Sequence, residues 1–103
     1  MNWWTAKEHC QTLNRRLMEV RTKDVYNETS DLKGLMDGDF WLGGSDIENE
    51  GHWVWNSDGE PVQFQVNVGN DPLAQNCLGM KKKSGNFHDR PCDNEIRFIC
   101  EWV

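Results

Sequence analysis

Four cysteines and three histidines are the residues of this chain best suited to chemistry, and their spacing narrows what that chemistry is. Cys10, Cys77, Cys92 and Cys100 contain no C-x-x-C pair, which argues against zinc or a thioredoxin-like redox centre and for two disulfides. Spacing alone leaves three connectivities open. Disulfides persist in oxidising surroundings, so the chain is expected outside the cell or in the secretory lumen. His9, His52 and His88 adjoin no nucleophile motif, and no acid pair stands where one pKa would be set apart from the other. An enzyme is therefore not expected. One more stretch has chemical content: Gly69 to Cys77, GNDPLAQNC, sets an acid, a proline and amides ahead of a cysteine, as a calcium and sugar site or its remains would.

The 103 residues have room for one domain, 1–103, burying roughly 60–68% of the surface of the unfolded chain, so cross-links are needed for stability. A formal charge of −6 with scattered lysines argues against nucleic acid, and Lys81-Lys82-Lys83 reads as a solvated loop. No apolar run approaches the ~18–20 residues of a membrane span, and no signal peptide precedes the first tryptophan. A secreted chain would then be present as a mature piece, or as the ectodomain of a larger or membrane-anchored one.

The elements that must position these groups come in two textures. Trp3, Ala6, Cys10, Leu13 and Leu17 recur at helical spacing after a capping Asn2, predicting a helix over roughly 3–14. Leu17-Met18-Glu19-Val20 alternates like a short strand, and Thr22 caps a second helix with Val25, Thr29, Leu32 and Met36 on its apolar face, ending before Asp37-Gly38-Asp39. Beyond Gly38, glycines separate short apolar bursts (40–42, 53–55, 64–66, 78–80, 97–100), the pattern of strands joined by turns. Helices first and strands afterwards predict an α+β domain with antiparallel pairing.

Trp3-x-x-Ala6-x-x-x-Cys10, Trp41-Leu42-Gly43-Gly44, Glu50-Gly51-x-Trp53-x-Trp55, Asp71-Pro72-Leu73, Cys77, Phe87-His88-Asp89, Cys92 and Phe98-Ile99-Cys100-Glu101 together resemble a C-type lectin-like domain over essentially the whole chain. The resemblance implies two helices flanking small antiparallel sheets, a long irregular ligand-binding loop region over about 43–90, and the pairing Cys10–Cys100 and Cys77–Cys92. Such bridges are worth on the order of 4.6 and 3 kcal/mol in the chain-entropy model. It also implies core positions for Trp41 and Trp55, while Trp53 faces either the loops or the other side of the sheet; Trp4 and Trp102 have no assigned role. The family's N-terminal strand is missing or trimmed, so the closing strand, Phe98 to Val103, is expected to become a bare edge through which two copies could pair.

Family members hold calcium, and sugar hydroxyls through it, with an E-P-N or Q-P-D triplet, a downstream acid and the Asn-Asp of a W-N-D motif. Carried over, these positions fall on Asp71, Pro72, Leu73, Gln75, His88 and Asp89. Leu73 offers no oxygen and His88 offers nitrogen, so Asp71, Gln75 and Asp89 remain as donors, too few for the 6–8 oxygens calcium prefers. An auxiliary calcium position maps onto Asp46, Glu50 and Asn76, with Ala74 lacking its oxygen. Calcium is expected to be weakly held at most. The resemblance implies a glycan-binding module, through this altered shell or by stacking sugar on Trp53; the rival is a calcium-independent protein-binding domain that has left sugars, and action on minerals or ice is a third class. Asn27-Glu28-Thr29 is a glycosylation sequon.

Overall fold

The structure, a computed structural model, describes residues 1–32, 39–68, 75–81 and 86–102, and the backbone alone over 28–32. Helix α1 spans Trp3–Thr12, with the Asn2 side chain accepting from the Thr5 amide at 2.8 Å and Trp3, Ala6 and Cys10 on the buried stripe. It stops short of the expected residue 14 because Asn14 takes a left-handed backbone, φ 57°, which turns the chain out of the helix. Leu13 is left exposed rather than on the stripe.

Strand β1 is Arg15–Leu17, earlier than the predicted 17–20, and the two arginines belong to it. The expected alternation is absent, since Leu17, Met18, Glu19 and Val20 are all buried. The Met18 amide donates to the Ile99 carbonyl at 3.0 Å while its carbonyl accepts from the Gly43 amide at 2.8 Å, so backbone lies on both sides of this segment. Gly43 permits that approach, for a Cβ there would stand 2.7 Å from the Leu17 carbonyl oxygen. Helix α2, Lys23–Leu32, is capped as expected, the Val25 amide donating to Thr22 Oγ1 at 3.2 Å. Tyr26, not foreseen on its inner face, stacks toward Phe64 and Phe87. Met36 and the end of the helix lie outside the described residues.

The remaining strands are β2 Phe40–Ser45, β3 Val54–Trp55, β4 Val66–Asn67, β5 Cys77–Met80, β6 Phe87–Arg90, β7 Arg97–Phe98 and β8 Cys100–Trp102. Among the described residues they form a sheet of order β3-β2-β5-β6-β4, with β7 also on β2, and a two-stranded ribbon of β1 and β8. Most pairs are antiparallel, but β2/β7 and β4/β6 run parallel, a departure from the expected antiparallel pairing. Residues 87–90, read in sequence as part of a loop motif, are instead a strand in full register with β5.

Side-chain alternation divides the core in two. Phe40, Leu42, Leu78, Met80 and Phe87 face one cluster with Val20 and Trp55, while Trp41 and Cys77 face a second with Trp3, Ala6 and Cys10 of α1. Trp41 and Trp55 are both fully buried core, and the Trp3 and Trp41 indole N–H groups donate to the Leu42 and Met1 carbonyls. The bridges Cys10–Cys100 and Cys77–Cys92 close separations of 90 and 15 residues. The closing strand β8 pairs with β1 on one side, from Arg15↔Trp102 to Leu17↔Cys100, and its other side has no strand partner among the described residues. Val103 lies outside the described residues.

Candidate functional site

The region expected as one long loop carries strands β3 to β6, and its irregular part is organised around Asp46. The Asp46 amide donates to the Asn76 carbonyl at 3.1 Å, and its carboxylate Oδ2 accepts from the Gly51 amide at 2.9 Å, where Gly51 turns the chain at φ 82°. Asp46 is buried, and its Oδ1 has no hydrogen-bond partner among the described residues. Glu50 stands against it. A hydrogen bond with the Asp46 carboxyl, then desolvation and the Asp46 charge, hold the Glu50 carboxyl above the usual carboxylate range, with Asp89 adding to the effect. Two carboxyls so placed disfavour each other's charge.

The donor set for calcium is thin. Among the described residues no three His, Cys, Asp or Glu side chains converge as a metal site. Asp46 and Glu50 come together as the auxiliary mapping expects, but Asn76 is seen to serve Asp46 with its backbone carbonyl. Gln75 spends its side-chain N–H on the Asp89 carbonyl at 3.3 Å. Asp71, Pro72, Leu73 and Ala74, the proline turn itself, lie outside the described residues. The described donors alone do not amount to the 6–8 oxygens of a calcium shell.

His88 and Asp89 are adjacent in sequence and point to opposite faces of β6. Asp89 shares the Phe87 and Leu78 face. His88 shares the other with Arg90, and both approach the position a Cβ on Gly79 would take. The His88 Nε2 lies 3.8 Å from the Asp39 carboxylate, which Arg90 holds at 2.6 Å. Burial first, then the Arg90 charge, push the His88 imidazole below its ordinary range, with Asp39 opposing. A neutral imidazole beside a guanidinium is poorly placed to share a cation with Asp89.

Trp53 is half-buried against the first core cluster and lines a groove of about 340 Å³ with Pro61, Val62, Phe64, Val66 and Val68. The hairpin that shapes it is closed by the Val62 amide donating to the Trp53 carbonyl at 3.0 Å. Only Trp53 of this groove was foreseen as a site residue. The signal was present in the alternation Val62, Phe64, Val66, Val68, a stripe of period two that is half-buried up to Val66 and exposed at Val68.

Two helices, a two-faced sheet, two long-range disulfides and an irregular loop face define a C-type lectin-like domain. The chain belongs to that family: the model of the lectin C-type domain matches residues 1–102. It is similar to the type-2 ice-structuring protein of Hemitripterus americanus, 30% identical over 104 residues, covering 97% of this chain and 61% of that protein. It is also similar to C-type lectin mosGCTL-7 of Culex quinquefasciatus, 37% identical over 117 residues, covering 97% of this chain and 68% of that one. Among solved structures, a calcium-independent type II antifreeze protein superposes with a TM-score of 0.80 at 27% identity, covering 97% of this chain and 77% of its own. The chain thus spans about three-fifths to two-thirds of the length of these curated relatives.

Proposed function

We propose that this chain is an extracellular, non-enzymatic recognition module that binds glycans on its loop face, with calcium at most ordering the Asp46–Glu50 corner. The observation that carries this reading is the groove beside Trp53: a half-buried indole offers a sugar ring an apolar face without an ion, next to a corner where no three acidic, histidine or cysteine side chains converge among the described residues. Asp71, Leu73, Gln75, His88 and Asp89 remain the residues proposed around the proline turn, with Asp71, Gln75 and Asp89 as its weak ion donors and Asp46, Glu50 and Asn76 as those of the auxiliary position. The two disulfides support an oxidising compartment.

The test is a glycan array run with calcium and with chelator, alongside a calcium titration by calorimetry. Retention is expected to survive chelation and to be lost in Trp53→Ala. Retention that needs calcium and disappears in both Asp71→Ala and Asp89→Ala would restore an ion-centred site. The apolar lining of the same groove, Val62, Phe64, Val66 and Val68, favours a second reading, a calcium-independent protein ligand, to which silence on the array would point.

A further inference from the structure

A second concave surface lies along α1, away from the Trp53 groove. Two cavities of about 330 and 320 Å³ share Lys7 and Asn56 and so form one trough. At one end stand Trp4, 49% exposed, and Ile47, 42% exposed. At the other end stand Arg15 and Arg16.

The charge of that end is opposite to the chain's net −6. Its cations are Lys7, Arg15 and Arg16 and its acid is Glu19, while the Trp4 end carries the carboxylate of Glu48. Glu19 is already engaged: Arg21 donates to it at 3.1 Å, Arg16 lies at 3.7 Å, and the Ser57 amide and hydroxyl donate to it at 3.1 and 2.8 Å. Arg16 is engaged as well, held by Glu101 at 2.7 Å. Lys7 and Arg15 have no carboxylate partner among the described residues. Each is seated on an indole instead, Lys7 with its Nζ 5.5 Å from the Trp3 ring and Arg15 with its guanidinium carbon 3.9 Å from that of Trp102. Stacking restrains both side chains while leaving their N–H donors available, which lowers the entropy cost of gripping an anion.

We propose that this trough is a second, calcium-independent site, which takes the sulfate or carboxylate group of an acidic saccharide. Lys7 and Arg15 hold the anionic group, the side-chain amides of Gln11 and Asn56 face ring hydroxyls, and the exposed indole of Trp4 receives the apolar face of a sugar ring. An extended acidic peptide fits less well. Such a peptide has no sugar ring to lay on the exposed indole of Trp4. The inference shares its ligand class with the reading above but neither its site nor its residues, so either can fail alone.

The test uses the whole chain in chelator, with a heparin-derived hexasaccharide as probe, a neutral dextran hexamer and hexaglutamate as controls, and calorimetry at low and at physiological salt. The heparin probe is expected to bind and to weaken with salt. Lys7→Gln with Arg15→Gln should lower affinity about tenfold or more, and Trp4→Ala should lower it severalfold. Trp53→Ala and the triple variant Lys81→Gln, Lys82→Gln, Lys83→Gln should leave it unchanged. Circular dichroism checks folding, and Lys7→Gln alone, in the middle of α1 and away from the ribbon strands, serves if the Arg15 change loosens the ribbon. No binding at low salt, equal binding of hexaglutamate, indifference to Lys7→Gln, or loss in the lysine triple variant would each overturn the proposal.

Discussion

Glu19 and Asp46 are carboxylates buried to almost the same depth, at 3% exposure each, and their surroundings are opposite. Glu19, two residues after β1, meets two guanidinium groups and both donors of Ser57. Asp46, in the loop face, meets the Gly51 amide and a second carboxyl, with one oxygen left without a partner among the described residues. A buried charge neutralised and hydrogen-bonded on all sides joins elements together; one facing another acid stores repulsion that a proton or a cation relieves. The difference separates an acid satisfied by the frame from one left partly unsatisfied in the loops.

The largest expected effect removes the frame altogether. Replacing Cys10 and Cys100 by alanine should cost on the order of 4–5 kcal/mol, read as a lower denaturant midpoint, and should unfold much of the population at 37 °C. Both acid corners would then be lost together. A variant that stays folded with an intact Asp46 corner would mean that the loop face does not depend on the frame.

Next comes Glu19→Gln. Arg16 keeps Glu101 and Arg21 keeps Asp58 at 2.8 Å, so neither cation is stranded, and a loss of about 2 kcal/mol is expected rather than the larger cost of breaking an isolated buried pair. Asp46→Asn is the matching change on the other side. It keeps an oxygen for the Gly51 amide and removes a charge from beside Glu50, so stability at neutral pH should stay within about 0.5 kcal/mol or rise. A loss as large as that of Glu19→Gln would abolish the contrast between the two corners.

The pH dependence of that corner has a definite sign. With its pKa raised in the folded state, Glu50 contributes stability that is fully present below its ordinary value of 4.5 and is lost as pH rises through the raised one. In Asp46→Asn that slope should flatten, and the Glu50 side-chain titration followed by NMR should return toward the ordinary range. An unchanged titration would show that the two carboxyls do not interact.

The smallest effect concerns His88, whose pKa is lowered in the folded state. Its neutral form stabilises the fold above 6.5, and stability falls as pH drops below that value, where the unfolded chain takes up the proton first. His88→Gln should remove this slope and leave stability at pH 7.5 within about 0.5 kcal/mol of the parent chain. A slope that survives would have to be assigned to other groups.

Much of this was legible in the order of residues, and for local reasons. Asn2 before an i, i+3, i+4 stripe marks the start of α1, and Thr22 marks that of α2, because a cap and a buried stripe are short-range properties. The core roles of Trp41 and Trp55 and the disulfide pairing came from the resemblance, which carries long-range information that spacing does not. Strand β1 starts earlier than expected because its first two residues are half-buried arginines, which carry no apolar strand signal, while the apolar residues that give the signal begin only at Leu17. The two parallel pairings are only two residues long, with no pattern of their own. At 87–90 the family motif drew the eye to ligand chemistry, while the strand it forms sends His88 and Asp89 to opposite faces.

The sequence by itself determined a cross-linked α+β domain of C-type lectin-like pattern. Only the tertiary structure decided which of its acids are satisfied and which are not. Glu19 meets Ser57 across 38 positions of chain, and Arg16 meets Glu101 across 85. The energy of a buried charge depends on the distance and direction of such partners, and folding alone sets those.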